Sequence, residues 1–195
     1  MLERIFASNG TSLTFERFEA ISSALADSDT GSEFSLPNKT TVTIGYKELI
    51  FSSQNVEDVE YCIPLKMGSN PIPSTPYTIW LETEEDFINR VSLNQQKINK
   101  ITKNKLIGCN IIKNGIYVRN KKDGDKFRCR DMTKSVKKYL IDKKIDKCLR
   151  SSYPVVCDND GIVWVDGIGV ADRALFNQNN DECGLLLSLE TDPII

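Results

Sequence analysis

The sequence predicts an α+β protein: an N-terminal helix with a β-hairpin linking domain, followed by a small β-rich C-terminal domain that carries one packed helix. Three observations support this: one stretch of helical periodicity near the start, short alternating runs between turn formers in the second half, and a charge balance that changes sign along the chain. With 195 residues, 40% hydrophobic and 27% charged, the chain can bury a core and has room for one domain or two small ones.

Residues 12–27, SLTFERFEAISSALAD, place Leu13, Phe15, Phe18, Ile21, Ala24 and Leu25 at mostly three- and four-residue spacings. With Ser12 or Thr14 as a cap, this predicts an amphipathic helix. The following DSDTGSEFSLPNKT is rich in turn formers and reads as a loop. Strands are expected at 41–46 and 47–51 as a hairpin, at 59–65 and at 77–82. Three prolines make 68–76 a connection rather than a sheet interior. Past Glu84 the sequence turns polar, and the Gln, Asn and Lys run at 94–104 reads as a linker or exposed helix. That composition shift puts the domain boundary between residues 1–98 and 99–195.

In the second half, 106–112 and 115–119 read as a hairpin turned by Lys113-Asn114-Gly115. A helix is expected after Asp131 or Thr133, with apolar Val136, Tyr139 and Leu140 roughly opposite Lys134, Lys137 and Lys138, and with Ile141 on the basic side. A second hairpin, 153–157 with 162–165, turns at Asp158-Asn159-Asp160-Gly161. Gly167 and Gly169 mark its exit, and a last strand is expected at 184–190.

A net charge of -2 conceals a strong division. Between Lys97 and Arg150 there are 18 Lys or Arg against 5 Asp or Glu, whereas the rest of the chain has 7 against 22. Clustered cations of this kind point to a polyanion, because Lys and Arg displace counterions from phosphates on contact. The average pI near 5.4 hides the asymmetry.

Other classes are disfavoured. No run approaches the roughly 18 apolar residues of a membrane helix, and the start lacks the order of a signal peptide, so a cytoplasmic, membrane-free protein is expected. The six cysteines never form a C-x-x-C pair and read as free thiols. Histidine is absent, which removes the side chain best suited to proton transfer near neutral pH. No phosphate-loop, nucleophile-elbow or zinc-protease pattern occurs, and no catalytic residue, metal site or cofactor is expected in this chain.

The chemistry is therefore expected in the basic segment. Arg119, Lys121, Lys122 and Lys126 surround a turn containing Gly124, Arg128 and Arg130 extend the set, and Lys134, Lys137 and Lys138 form a basic helix face. A strand end, a glycine turn and a helix start can present side-chain cations and backbone N–H groups to phosphates together. The plainer alternative is a solvated hairpin tip whose Asp123 and Asp125 neutralise their neighbours. Those two carboxylates are better ion-pair partners than metal ligands, since lysines surround them and no third ligand is evident. Gly167-Ile168-Gly169 reads as a turn rather than a phosphate loop, and Trp164 as core rather than a base-stacking platform.

Read together, these motifs resemble the C-terminal domain of bacterial tRNA(Ile)-lysidine synthases. Arg119, Asn120, Lys121, Gly124, Asp125 and Lys126 are similar to that family's R-N-[RK]-x-x-G-D-[RK] signature. Lys134-Ser-Val-Lys-Lys-Tyr-Leu140 is similar to its lysine-rich helix; Lys144-Ile145, Arg150, Tyr153-Pro-Val155 and Val163-Trp-Val-Asp-Gly-Ile168 follow in the expected order. Asp146 departs from the pattern, which often has proline there.

The resemblance implies a small β-rich domain shared with part of the phenylalanyl-tRNA synthetase β chain. It implies a parent ligase that uses ATP to couple lysine to the wobble cytidine of a minor isoleucine tRNA, on an N-terminal module whose Ser-Gly-Gly-x-Asp-Ser loop has no counterpart in this sequence. The implied partners are isoleucine tRNA, gripped toward its acceptor stem and told apart from methionine tRNA, and the catalytic module; a homodimer is also allowed. The rival from another class is a protein-interaction module whose acidic first half docks a basic partner or the catalytic module.

Overall fold

A computed structural model of the chain describes residues 4, 6–7, 13–27, 30–37, 40–46, 49–53, 60–93, 106–113, 115–177, 179 and 181–191. The expected linker at 94–104 lies outside these residues, as do Val59 and Asn114. The fold divides into two compact units, Met1–Asp58 with Lys143–Arg150, and Val59–Asp142 with Ser151–Ile195.

In the first unit, helix α1 (Phe15–Ala26) forms where the periodicity predicts it, with the Thr14 hydroxyl at its N-cap, 3.5 Å from the Arg17 N–H. Strands β1 (Glu33–Leu36), β2 (Thr40–Ile44) and β3 (Leu49–Ser53) make an antiparallel sheet in that order. Every residue of β2 is β-branched, the type that packs best on a pleated surface. β1 occupies a stretch read as loop: Phe34 and Leu36 alternate with polar residues, a two-residue period that its turn-forming neighbours obscure. The core gathers Phe6, Ile21, Leu36 and Val42, with Phe6 edge-on to Phe51 at 5.1 Å.

The insertion 143–150 belongs to this unit through polar contacts. The Tyr46 N–H donates to Asp146 Oδ1 at 2.9 Å, Arg150 donates to the Ile145 carbonyl and the Tyr46 hydroxyl at 2.7 and 3.2 Å, and Lys147 pairs with Glu33. Asp146 thus uses the side chain that a proline would lack.

Along the second unit the chain forms β4 (Cys62–Pro64), β5 (Gly68–Pro71), β6 (Tyr77–Glu82), helix α2 (Glu84–Leu93) and β7 (Ile107–Gly108). It continues through β8 (Tyr117–Asn120), β9 (Lys126–Cys129), β10 (Met132–Ser135) and helix α3 (Val136–Asp142). After the insertion come β11 (Pro154–Asp158), β12 (Gly161–Val165), β13 (Gly169–Val170) and β14 (Gly184–Thr191). These strands make a five-stranded sheet β13-β12-β11-β8-β4, a four-stranded sheet β5-β6-β14-β7 and the β9-β10 hairpin, all antiparallel. β11 and nearly all of β12 are buried, and Trp164 is fully enclosed, as a core residue should be.

Several expectations change. Strands from before the expected 98/99 boundary pair with strands from after it, β4 with β8 and β6 with β14, so that boundary falls inside one unit. The expected hairpin 106–112/115–119 does not form: Ile107 and Gly108 pair with β14, Asn110–Lys113 makes a helical turn, and β8 lies between β4 and β11. Asn-Gly is a local signal, and burial of Ile107 and Val118 in different sheets overrides it. β5 is a strand despite ending in Pro71 because it is an edge, with β6 its one neighbour, and Pro73 and Pro76 fall in the connection to β6. The polar stretch after Glu84 is α2: the Thr83 hydroxyl accepts from the Asp86 N–H, and Arg90 forks onto buried Glu82, donates to Ser188 and lies 4.3 Å from the Trp80 ring centre.

A buried ion pair closes the β11–β12 corner. Asp158, with no exposed side chain, accepts from both Arg173 terminal nitrogens at 2.8 and 2.6 Å and from the Asp160 N–H at 2.9 Å. Burial pushes the carboxyl up, but Arg173 and the turn amides outweigh it and hold Asp158 below its ordinary value. A carboxylate depressed in the folded state stabilises above the unfolded value near 3.9, and that contribution is lost as pH falls through the folded value. Arg173→Ala, which strands a buried charge, is expected to cost about 3 kcal/mol at neutral pH and to lose less at acid pH than at pH 7. Urea unfolding of both proteins at about pH 7 and about pH 2.5, below the unfolded value, measures the difference.

Candidate nucleic-acid interface

The basic segment runs from β8 to α3 and holds nine Lys or Arg against four Asp between Tyr117 and Asp142. Its first half is organised around one pair. Arg119 extends from β8, and its guanidinium meets Asp125 through two parallel hydrogen bonds of 2.8 Å each, with a third, at 3.0 Å, to the Asn120 carbonyl. Asp125 Oδ2 also accepts from the Lys122 N–H at 2.8 Å. The loop 121–124 is therefore wrapped around a charge-assisted fork, with Gly124 at φ +86° supplying the left-handed turn. Beyond it, the Val136 N–H donates to the Asp125 carbonyl, tying the start of α3 to the same loop.

The hairpin β9-β10 alternates. Phe127 and Cys129 are buried, while Lys126 and Arg128 face out, directly opposite Ser135 and Thr133. Helix α3 buries Val136 and Leu140 and exposes Lys137 and Lys138 as expected, but the predicted face is corrected at two places: Lys134 lies in strand β10 before the helix begins, and Tyr139 lines the same cleft as Lys134 and Lys138.

These elements enclose a cleft of about 400 Å³ lined by Arg130, Thr133, Lys134, Ser135, Lys138, Tyr139, Asp142, Gly167 and Ile168. Three cations, two aliphatic hydroxyls and a phenol face one carboxylate, a donor-rich set suited to an anion. Burial pushes the Tyr139 phenol up, and the Asp166 charge adds to it, so the hydroxyl stays neutral. A Cβ on Gly167 would lie 1.7 Å from that hydroxyl, and with φ at +73° the position is closed to other residues.

The residues expected from sequence separate into three groups. Arg130, Lys134 and Lys138 come together in the cleft. Lys122, Lys126, Arg128 and Lys137 are exposed on the surrounding loop, hairpin and helix, with Arg128 in a loose contact to Asp131 at 3.5 Å. Arg119 and Lys121 are turned inward instead: their side chains are 15% and 11% exposed, and their partners are Asp125 and Asp123. The hydrogen bond and charge of Lys121, with the charge of Lys137, hold Asp123 below the usual carboxylate range. Asp123 and Asp125 are thus ion-pair partners, as the surrounding lysines suggest.

Sequence reading missed Thr133, Ser135, Tyr139 and Asp142 as cleft residues. The alternating K-F-R-C and M-T-K-S around Arg130-Asp131 was the available signal, a two-residue hairpin without glycine. Cys62, Cys109, Cys129, Cys157 and Cys183 are free thiols, and burial pushes Cys157 up to about 11, well away from a reactive thiolate. Among the described residues no helix is long and apolar enough to cross a membrane.

Residues 116–189 match the family described as the TilS substrate C-terminal domain. A tRNA(Ile)-lysidine synthase of Clostridium tetani is 26% identical over 162 residues, covering 80% of this chain and 33% of that protein. The same enzyme of Caldanaerobacter subterraneus is 27% identical over 166 residues, covering 81% and 33%, and that of Clostridioides difficile is 32% identical over 73 residues, covering 37% and 16%. The chain spans about a third or less of the curated relatives it matches. A solved structure described as the crystal structure of the TILS C-terminal domain is 24% identical with a TM-score of 0.49, covering 68% of this chain and 98% of that one. These matches support a TilS C-terminal region, carried by the basic segment and the strands that frame it.

Proposed function

We propose that this chain is the tRNA-gripping part of a tRNA(Ile)-lysidine synthase, in which the cleft and the cations around it hold backbone phosphates of isoleucine tRNA. The observation that carries this reading is the convergence of Arg130, Lys134 and Lys138 on one hydroxyl-rich cleft inside the matched residues. Contacts of this type position an RNA without reading its bases, and A-form RNA is recognised largely by shape and backbone. The ATP-dependent coupling of lysine to the wobble cytidine belongs, on this reading, to a separate N-terminal catalytic module that is the second partner, and the whole works in the cytoplasm. ATP and lysine are ligands of that module. The domain's role there is to favour isoleucine tRNA over methionine tRNA, on a scaffold of the kind found in the phenylalanyl-tRNA synthetase β chain.

Affinity for isoleucine and elongator methionine tRNA transcripts across a salt series tests the reading. With about four phosphate contacts, binding should weaken roughly a hundredfold between about 50 and 200 mM salt. Tight, steeply salt-dependent binding that prefers the isoleucine tRNA is expected, and salt-independent binding would be incompatible with a phosphate grip. No binding to either transcript would favour a protein-docking role.

Removing single cations separates contact from scaffold. Lys134→Ala and Lys138→Ala should each weaken both tRNAs and lower the salt slope by about one. Arg119→Gln should instead leave the slope nearly unchanged and lower unfolding stability by about 2–3 kcal/mol, because it removes charge-assisted bonds that hold the loop.

A further inference from the structure

The hairpin tip that carries Arg130 has an unusual backbone. Arg130 and Asp131 form the two-residue loop between β9 and β10, with Met132 directly opposite Cys129. Both have positive φ, 55° and 59°. Such a loop is the type I′ turn, which Asn-Gly and Asp-Gly adopt readily and which burdens a residue such as Arg with steric strain.

Asp172 sits where it can offset that strain. It begins the 3-10 turn Asp172–Ala174, distant in sequence, and accepts both loop amides: the Arg130 N–H at Oδ1, 2.7 Å, and the Asp131 N–H at Oδ2, 3.0 Å. Two successive N–H groups aimed at one carboxylate make an anion-holding concavity from the backbone itself. A third contact, to Arg128 at 3.7 Å, is loose and largely solvated.

We propose that Asp172 is a positioning residue for RNA binding, clamping the Arg130-Asp131 loop in its left-handed conformation so that Arg130 stands in the cleft wall. This rests on the reading of the cleft as a phosphate site. Asp172 places a negative charge inside a basic hairpin, and by charge alone it opposes a polyanion. The ordering of Arg130 is what compensates for it.

The two effects of Asp172 have opposite signs, which makes them separable. By charge alone, Asp172→Ala in the full chain should bind isoleucine tRNA transcript more tightly. With the clamp, binding weakens, roughly three- to tenfold if the loop keeps its productive form a third to a tenth of the time. Asp131→Gly added to Asp172→Ala should restore most of the affinity, since glycine takes positive φ unaided, whereas Asp131→Ala, which removes the same charge, should not. The Arg130 and Asp131 amides should also exchange with deuterium much faster in Asp172→Ala while the central sheet stays protected, showing that the domain remains folded.

Unchanged or tighter binding by Asp172→Ala, beside a loss from Arg130→Ala, would overturn the clamp and leave the cleft reading standing. So would an equal loss from Asp172→Ala in an Arg130→Ala background, because the clamp acts through that side chain. No loss from Arg130→Ala itself would overturn the cleft reading and the proposal together.

Discussion

The Arg119–Asp125 fork is the constraint on which the basic surface depends. Arg119 is rooted in β8, a strand held between β11 and β4, and its guanidinium reaches forward to the last residue of the loop before β9. Asp125 then ties back the Lys122 amide with its side chain and the Val136 amide with its carbonyl. One carboxylate and one backbone oxygen thus link the central sheet, the loop and the start of α3. The cations at 126–138 inherit their positions from this frame, because β9, β10 and α3 are anchored at the loop and at the buried side chains Phe127, Val136 and Leu140.

Two kinds of charge result, and they have different tasks. Arg119, Lys121 and Arg173 are engaged with carboxylates that are local or buried, and they organise backbone. The Arg119 and Arg173 pairs hold a shape because losing the arginine leaves a buried carboxylate without compensation, whereas Asp123 opposite Lys121 is solvated and that pair contributes little. Lys122, Lys126, Lys137 and Lys138 are exposed and hydrated, so they add little to stability and remain available to a polyanion. Arg130 joins both classes: its amide is held by Asp172, and the residue lines the cleft. A segment dense in lysine can in this way be rigid where it must present charge, with the acidic residues inside it serving as braces more than as neutralisers.

Legibility from sequence followed the range of the interaction. Helix α1, the β11–β12 hairpin and strand β6 were readable because periodicity and turn chemistry act within a few residues. Strand β1 and the polar helix α2 were not. The first has only two apolar residues to show its period, and the second is held by Arg90 reaching Glu82 and Ser188, the latter 98 positions away. The Asn-Gly at 114–115 is the instructive failure: a strong local hairpin signal gave way to burial of its two flanks in different sheets. For the cleft, charge density located the segment, yet it ranked Arg119 and Lys121 beside residues with a different role.

Sequence by itself determined the β-rich α+β character, the position of the basic segment and the resemblance carried by Arg119, Asn120, Gly124, Asp125 and the lysine-rich helix. These follow from composition, short-range spacing and residue order, which are complete in the linear chain. Tertiary structure alone decided that strands from both sides of the expected boundary share sheets, that Arg119 braces while Lys134 and Lys138 line a cleft, and that Asp172 meets a loop some 40 positions earlier. The physical reason is that a cation's role is set by which carboxylate lies within hydrogen-bonding reach after folding, and burial, not proximity in sequence, chooses that neighbour.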